Sequence, residues 1–384
     1  MAVSSAFPVR DTIAGHLERS GVDRRDFMAF CGKLMVAAPF GLGITSFLSV
    51  EAVAEEVGRI RRPSVIWLHM QDCTGCTETL LRTSQPDLAT LLFDVISLDY
   101  HETVMAASGH DAELALRDAM TQNDGKYVLV VEGSIPTKDN GIYLKVGGKW
   151  GTDLLREAAA HSAAVISIGS CASWGGVPSS GPNPTGAVGV DSLVKDKPVV
   201  NIPGCPPNPY TLLGTVLQYA RAGTLPELDA FKRPKFAYDR VIHEHCPRRA
   251  HFDNGRFALE FGDAGHRQGW CLYKLGCKGP VTHAACSTRS FNEVVDAWPI
   301  GIGAPCVGCT EQAVAFRIPI HDTVAIEHIT PPAAYPPIDP VRGAFSPVST
   351  GVAGLVGGTL IGAGVMVARK LGRSDVDEPT ERKE

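Results

Sequence analysis

This sequence lacks a large excess of charge of either sign. Lysine and arginine number 36 against 41 aspartates and glutamates, a formal net charge of −5. With a pI near 6.2, that balance gives no reason to expect a nucleic-acid partner. Phosphate-binding glycine motifs are missing as well. The first loop carries Cys-Thr-Gly-Cys where a dinucleotide fold places its Gly-rich fingerprint. "GGKWGT" at 147–152 has neither the spacing nor the hydroxyl of a P-loop, so no nucleotide is expected. No internal repeat is present. Eleven cysteines in 384 residues are too few for a disulfide scaffold and too many to be core filling alone.

What is present describes an ordinary globular protein, 44% hydrophobic and 20% charged, long enough for one large core or two smaller ones. The 40 glycines and 27 prolines point to much irregular backbone. Both ends stand apart. Arg24 and Arg25 precede Phe27, Met28 and a weakly apolar run to about Val50, and Ala52-Val53-Ala54 offers the small residues of a cleavage site. Residues 1–54 therefore look like a twin-arginine export signal cleaved after Ala54, although Asp23 and Ala29 depart from the usual pattern. A retained N-terminal membrane helix is the alternative, and Lys33 and Pro39 interrupt it. Cys31 falls inside this segment and is set aside.

From Ala344 to Ala368 the sequence holds 25 residues without charge, followed at once by Arg369, Lys370 and Arg373. That length crosses a bilayer, and the basic flank orients the C-terminus to the cytoplasm. Gly354, Gly358 and Gly362 would admit a second helix closely. The reading is a linker at 331–346, a transmembrane anchor at 347–368 and a cytoplasmic tail at 369–384.

Between Pro63 and about Gly223 apolar runs alternate with amphipathic segments. "SVIWLHM", "FDVISL", "YVLVVEG", "AAVISIGS" and "PVVNIPG" read as buried parallel strands, while "HDAELALRDAM" and "GTDLLREAAA" read as helices. A doubly wound α/β domain over 63–230, of the flavodoxin-like kind, is expected. Past Phe231 the sequence turns rich in Pro, Gly, His and Cys, with "EVVDAW" and "EQAVAFR" as short helical pieces. A second domain over 231–330, this irregular, calls for bound metal to organise it.

Ten cysteines remain: 73, 76, 171, 205, 246, 271, 277, 286, 306 and 309. Cys73, Cys171 and Cys205 each follow the carboxyl end of an expected strand, where open α/β sheets place ligands. Cys73/Cys76 and Cys306/Cys309 are Cys-x-x-Cys pairs, with Gly75 and Gly308 expected to bend each loop so that both sulfurs converge. Iron–sulfur clusters, zinc and disulfides all stay open on this arithmetic, with clusters favoured because ten dispersed thiols exceed one zinc site.

The ordered series "CTGCTE", "VEGSIP", "IGSCASWGG", "NPTGA", "IPGCPPNP", "HEHCPRR", "GWCLYKLGCKGP" and "APCVGC" resembles the small, electron-transferring subunit of periplasmic, membrane-bound, uptake-type [NiFe] hydrogenases. The resemblance runs from Pro63 to about Ile329. It implies a proximal [4Fe–4S] cluster on Cys73, Cys76, Cys171 and Cys205. It implies a distal [4Fe–4S] cluster on His243, Cys246, Cys271 and Cys277, where imidazole in place of thiolate raises the potential. It implies a medial [3Fe–4S] cluster on Cys286, Cys306 and Cys309, with Pro299 where a fourth ligand would otherwise stand. His245 is assigned nothing. Glu132 is either a charge that tunes the proximal cluster or a plain buried hydrogen-bonding carboxylate.

The resemblance further implies an obligate heterodimer with a nickel-bearing large subunit that docks around the proximal site, so no residue here is catalytic. Electrons would run proximal to medial to distal and leave near His243. Their destination would be a membrane cytochrome b or an equivalent quinone-reducing subunit, at the periplasmic face of the cell membrane. Oxygen-tolerant members carry two extra cysteines at positions held here by Gly75 and Gly176, so an oxygen-sensitive enzyme is expected. Two rival readings are a stand-alone exported iron–sulfur carrier and the cluster subunit of a quinone oxidoreductase related to respiratory complex I.

Overall fold

The computed structural model describes residues 62–332, apart from 85, 290, 292, 293, 328 and 330. The export signal at 1–54, the anchor at 347–368 and the tail at 369–384 lie outside the described residues, as does nearly all of the linker at 331–346. Among the described residues no helix is long and apolar enough to cross a membrane.

Five strands form a parallel sheet: β1 (Ser64–His69), β2 (Ser97–His101), β3 (Val128–Glu132), β4 (Ala164–Ile168) and β5 (Val199–Ile202). Their spatial order is β2-β1-β3-β4-β5. This is the 2-1-3-4-5 order of flavodoxin-like doubly wound sheets. Strands β3, β4 and β5 are buried along their whole length. That is why they read as continuous apolar runs and not as alternations.

The two-residue period still sorts the side chains. Ile66, Leu68, Leu129, Val131 and Val165 face helices α2 (His110–Gln122) and α3 (Gly151–Ala160), meeting Leu116, Met120, Leu154 and Leu155. Val65, Trp67, Val128, Val130, Ile166 and Val200 face the other way. There they meet Leu80 of α1 (Gly75–Leu81) and Leu212, Leu213 and Val216 of α5 (Pro209–Ala222). Two helical layers thus cover one sheet.

Four of the five expected strands and both expected helices stand where the sequence places them. The exception is "FDVISL". Residues Leu91–Val95 continue a helical turn as a π-helix, and the strand begins only at Ser97. Asp87 starts that turn by accepting the Thr90 N–H at 2.8 Å. Ile96 is buried in the core beside Leu91, so the apolar signal came from helix and strand together.

Among the described residues beyond Phe231 there are only short turns of helix, such as Ile242–His245, Arg249–Asp253 and Tyr273–Leu275. Neither "EVVDAW" nor "EQAVAFR" is a helix; the latter closes as successive turns, with the Ala315 N–H bonding the Glu311 carbonyl at 2.8 Å. The buried cluster here holds Ile242, Leu272, Leu275, Trp298 and Ile300 together with Cys246, Cys277 and Cys306. Sulfur occupies places that leucine would hold in an ordinary core.

Leu129 is fully buried at the centre of the sheet. Leu129→Ala should cost about 2–5 kcal/mol through lost burial and a residual cavity. The thermal-inactivation midpoint of the purified protein measures that loss.

Candidate metal centres

Strand ends build the first group of thiols. Cys73 and Cys76 follow β1, Cys171 lies in the short helix α4 (Gly169–Trp174) directly after β4, and Cys205 follows β5. The four sulfurs lie close enough to act on one another. Burial first, then Glu132 and the thiols of Cys171, Cys205 and Cys73, push the Cys76 thiol well up. Burial likewise carries Cys171 to about 11. Cys73 and Cys205 remain exposed, so this group opens onto the protein surface.

The turn between Cys73 and Cys76 is made differently from the expectation. Thr74, not Gly75, takes the left-handed conformation, at φ 61°. Gly75 instead keeps clear of sulfur, since a Cβ built there would stand 3.1 Å from Cys73 Sγ. Glu132, at the end of β3, accepts four hydrogen bonds: from Trp67 Nε1 at 3.2 Å, Cys76 N at 2.9 Å, Thr77 N at 3.2 Å and Thr77 Oγ1 at 2.6 Å. It therefore fixes the start of α1 and, with it, Cys76. His69 Nδ1 pairs with Asp72 at 2.5 Å and lies 3.9 Å from Glu132. These three side chains bring ligand atoms within 4.8 Å of one another, but the Glu132 oxygens are already committed to their four donors.

His243, Cys246, Cys271 and Cys277 line one small pocket, together with Ile242, Leu272 and Ile300. Burial, then the Arg249 charge, lowers His243 to about 4, so its imidazole is neutral at pH 7. His243 Nε2 is buried without a hydrogen-bond partner among the described residues. Burial drives Cys246 and Cys271 up to about 12. His245, by contrast, faces Arg240 at 3.2 Å at an exposed position.

Cys286, Cys306 and Cys309 form the third group. Burial and the neighbouring thiols raise all three, Cys286 and Cys309 to about 12. Gly308 is left-handed at φ 74°, as the bend in this pair requires. The third group also touches both of the others. Cys205 acts on the Cys309 thiol through its charge and its backbone N–H, and Ser170 Oγ, beside Cys171, donates to the Cys309 carbonyl at 2.5 Å. On the other side the Cys306 N–H points to Cys277 Sγ at 3.4 Å. The order along the molecule is therefore strand-end group, third group, His243 group. All ten described cysteines are free thiols, with no disulfide among them.

The donor set fits iron–sulfur clusters. Buried thiols hold their protons unless a metal replaces them, and a neutral, unpartnered imidazole beside three such thiols is a ready ligand.

Two cations escaped the sequence reading. Arg233 is almost wholly buried and donates to Asp229 at 2.7 Å, to the Thr310 carbonyl at 2.9 Å and to Glu311 at 2.9 Å. Glu311 also accepts the His283 N–H at 2.7 Å, so one ion-paired knot ties the loops on either side of Cys286 and Cys309. Lys278, adjoining Cys277, donates its ammonium to four backbone carbonyls. Only "KRP" and "CKGP" mark these residues in the sequence, and neither pattern distinguishes a buried cation from a surface one.

A parallel-sheet domain with thiols at its strand ends is joined to an irregular half whose buried core includes cysteine, an arrangement suited to holding metal at more than one place. Residues 238–320 match the C-terminal family of NiFe/NiFeSe hydrogenase small subunits, and residues 73–219 match the NADH ubiquinone oxidoreductase 20 Kd family. The chain is 49% identical over 356 residues to the Hydrogenase-2 small chain of Escherichia coli K12, covering 92% of this chain and 94% of that one. It is 48% identical over 299 residues to the quinone-reactive Ni/Fe-hydrogenase small chain of Wolinella succinogenes, covering 77% of this chain and 82% of the relative. Among solved structures, recombinant [NiFeSe] hydrogenase from Desulfovibrio vulgaris Hildenborough aligns with a TM-score of 0.61 at 39% identity, over 66% of this chain and 94% of that one.

The chain belongs to the family of [NiFe] hydrogenase small subunits. It is the non-nickel partner of a hydrogenase heterodimer, and members of this family carry iron–sulfur clusters and transfer electrons.

Arg233→Met would leave Asp229 and Glu311 without their cation, at a cost of about 3 kcal/mol. The heterodimer should then lose iron at a lower temperature than the unsubstituted protein, as iron analysis after graded heating would measure.

Proposed function

We propose that this protein holds three clusters in line and conducts electrons from hydrogen oxidation in the large subunit to a quinone-reducing membrane partner. Cys73, Cys76, Cys171 and Cys205 would bind a proximal [4Fe–4S] cluster. Cys286, Cys306 and Cys309 would bind a medial [3Fe–4S] cluster, and His243, Cys246, Cys271 and Cys277 a distal [4Fe–4S] cluster. One observation carries this reading: the third thiol group touches both others, through Cys309 to Cys205 and through Cys306 to Cys277. A stand-alone pair of metal sites would not need that continuity.

Bound clusters would supply one-electron relays, a chemistry no side chain here can perform. The chain's own work is to bury the thiolates, exclude water and set the charge around each site. The open proximal group, with Cys73 and Cys205 exposed, supports a large-subunit interface at the carboxyl edge of the sheet. The expected path ends on the His243 side.

The uncharged segment 344–368 and the basic residues after it support anchoring at 347–368, with the main body on the periplasmic face after twin-arginine export. The quinone-reactive relative from Wolinella supports a quinone-reducing acceptor, a membrane cytochrome b or an equivalent. The match of residues 73–219 to an NADH ubiquinone oxidoreductase family reflects the shared sheet half; the hydrogenase match at 238–320 covers the distal ligands, which argues against a complex I role.

Iron analysis and electron paramagnetic resonance test the assignment. The oxidised heterodimer should contain 11 iron atoms in the clusters of this subunit, four plus three plus four by the cluster types assigned here, besides the iron of the large subunit's nickel–iron site, and show a [3Fe–4S] signal. Cys286→Ser should abolish that signal; its persistence would refute the medial site. With Gly75 and Gly176 in place of extra cysteines, hydrogen oxidation should fall away on admission of air, and steady turnover in air would contradict the standard proximal site.

A further inference from the structure

Lys278 has no solvent exposure. Its Nζ donates to the carbonyls of Gly276 at 3.3 Å, Pro319 at 3.0 Å, Ile320 at 2.8 Å and Asp322 at 3.3 Å. Among the described residues no carboxylate oxygen accepts from it. Carbonyl dipoles solvate an ammonium but leave its charge uncancelled, and an uncompensated buried charge is costly.

The surroundings say what balances it. Lys278 follows Cys277, and its peptide N–H donates to the Cys306 carbonyl at 2.8 Å. Its stem lies along the Cys306–Cys309 loop, since a Cβ built at Gly308 would stand 3.3 Å from Lys278 Cδ. Burial lowers its proton affinity, while Cys306, Cys277 and then Asp322 oppose that fall. Two of those three groups are thiols of different sets, one medial and one distal. As protonated thiols neither would offer a counter-charge; as iron-bound thiolates both would.

We propose that Lys278 is a fixed positive charge shared by the medial and distal centres, holding the reduction potentials of both above the values they would have without it. The inference rests on the cluster assignment above. Each reduction adds one electron, supplied by hydrogen oxidation in the large subunit, so each centre grows more negative. A cation buried beside it stabilises that form. In a low-dielectric interior the effect is larger than in water, and salt screens it little. Lys278 adjoins Cys277 and lies along the Cys306–Cys309 loop, not among the strand-end thiols, so its charge acts chiefly on the medial and distal centres. The charge thus favours electron flow away from the large subunit.

Redox titration of the purified heterodimer, followed by electron paramagnetic resonance, tests this against a purely structural staple between Lys278 and residues 319–322. Lys278→Met removes charge and donors. Lys278→Gln removes charge but keeps an N–H donor group, and Lys278→Arg keeps the charge. Both neutral variants should lower the reduced-to-oxidised ratio of the medial and distal centres about tenfold or more at a fixed potential. The proximal centre should stay unmoved, the Arg variant should resemble the native protein, and the differences should persist at high salt. Unchanged medial and distal potentials in either neutral variant, or an equal shift at all three centres, would overturn the proposal. Where neither neutral variant retains iron, the Arg variant decides. Its retention of all iron supports the charge, and its loss of medial and distal iron overturns the charge in favour of packing. The unsubstituted protein is the separate control: absence of its [3Fe–4S] signal would count against the cluster assignment and not against Lys278.

Discussion

A thiolate inside a protein needs a positive partner. Burial first, then the neighbouring thiols, carry Cys246, Cys271, Cys286 and Cys309 up to about 12, where they keep their protons at any physiological pH. Nearly everything irregular in the second half follows from that requirement. Cys246, Cys277 and Cys306 fill the core that Ile242, Leu272 and Trp298 enclose, so the packing and the proposed metal ligands are the same set of atoms. On the proposed assignment, metal–ligand bonds would do for this chain of short turns what helix and sheet ladders do elsewhere.

The first half follows the opposite logic. Its sheet is complete without any ligand, with two apolar layers and fully buried central strands. Its candidate ligand thiols sit only past strand ends, where the backbone turns away from the ladder. Three ties join the halves near the proximal and medial thiols. Ser170 reaches the Cys309 carbonyl, Arg233 reaches Thr310 and Glu311, and Arg317 reaches Ser179 at 2.9 Å. The two halves match different families, yet their ligands meet at one seam.

How much of this was legible depended on the kind of force involved. β1, β3, β4 and β5 could be read because burial on both faces leaves a continuous apolar run. β2 was displaced because Leu91 and Ile96 supply the same apolar signal from a helical turn. Cysteine spacing singled out the candidate ligands, and the order of motifs grouped them by family resemblance. Thr74 was missed because its left-handed turn belongs to a residue type that seldom adopts it, and a glycine stood next to it. Lys278 and Arg233 were invisible because a lysine or arginine carries no mark of burial until distant carbonyls, 319–322 and 310, close around it.

Gly176 is left-handed at φ 49°, and a side chain there would begin 2.6 Å from Cys171 Sγ and 2.7 Å from the Cys171 backbone. A cysteine at this position must bring a rerouted loop with it, since strain and collision both act against the single replacement. In this chain a Gly176→Cys replacement alone would meet both the Cys171 sulfur and a left-handed backbone, so only a redrawn segment after Trp174 could seat a side chain there.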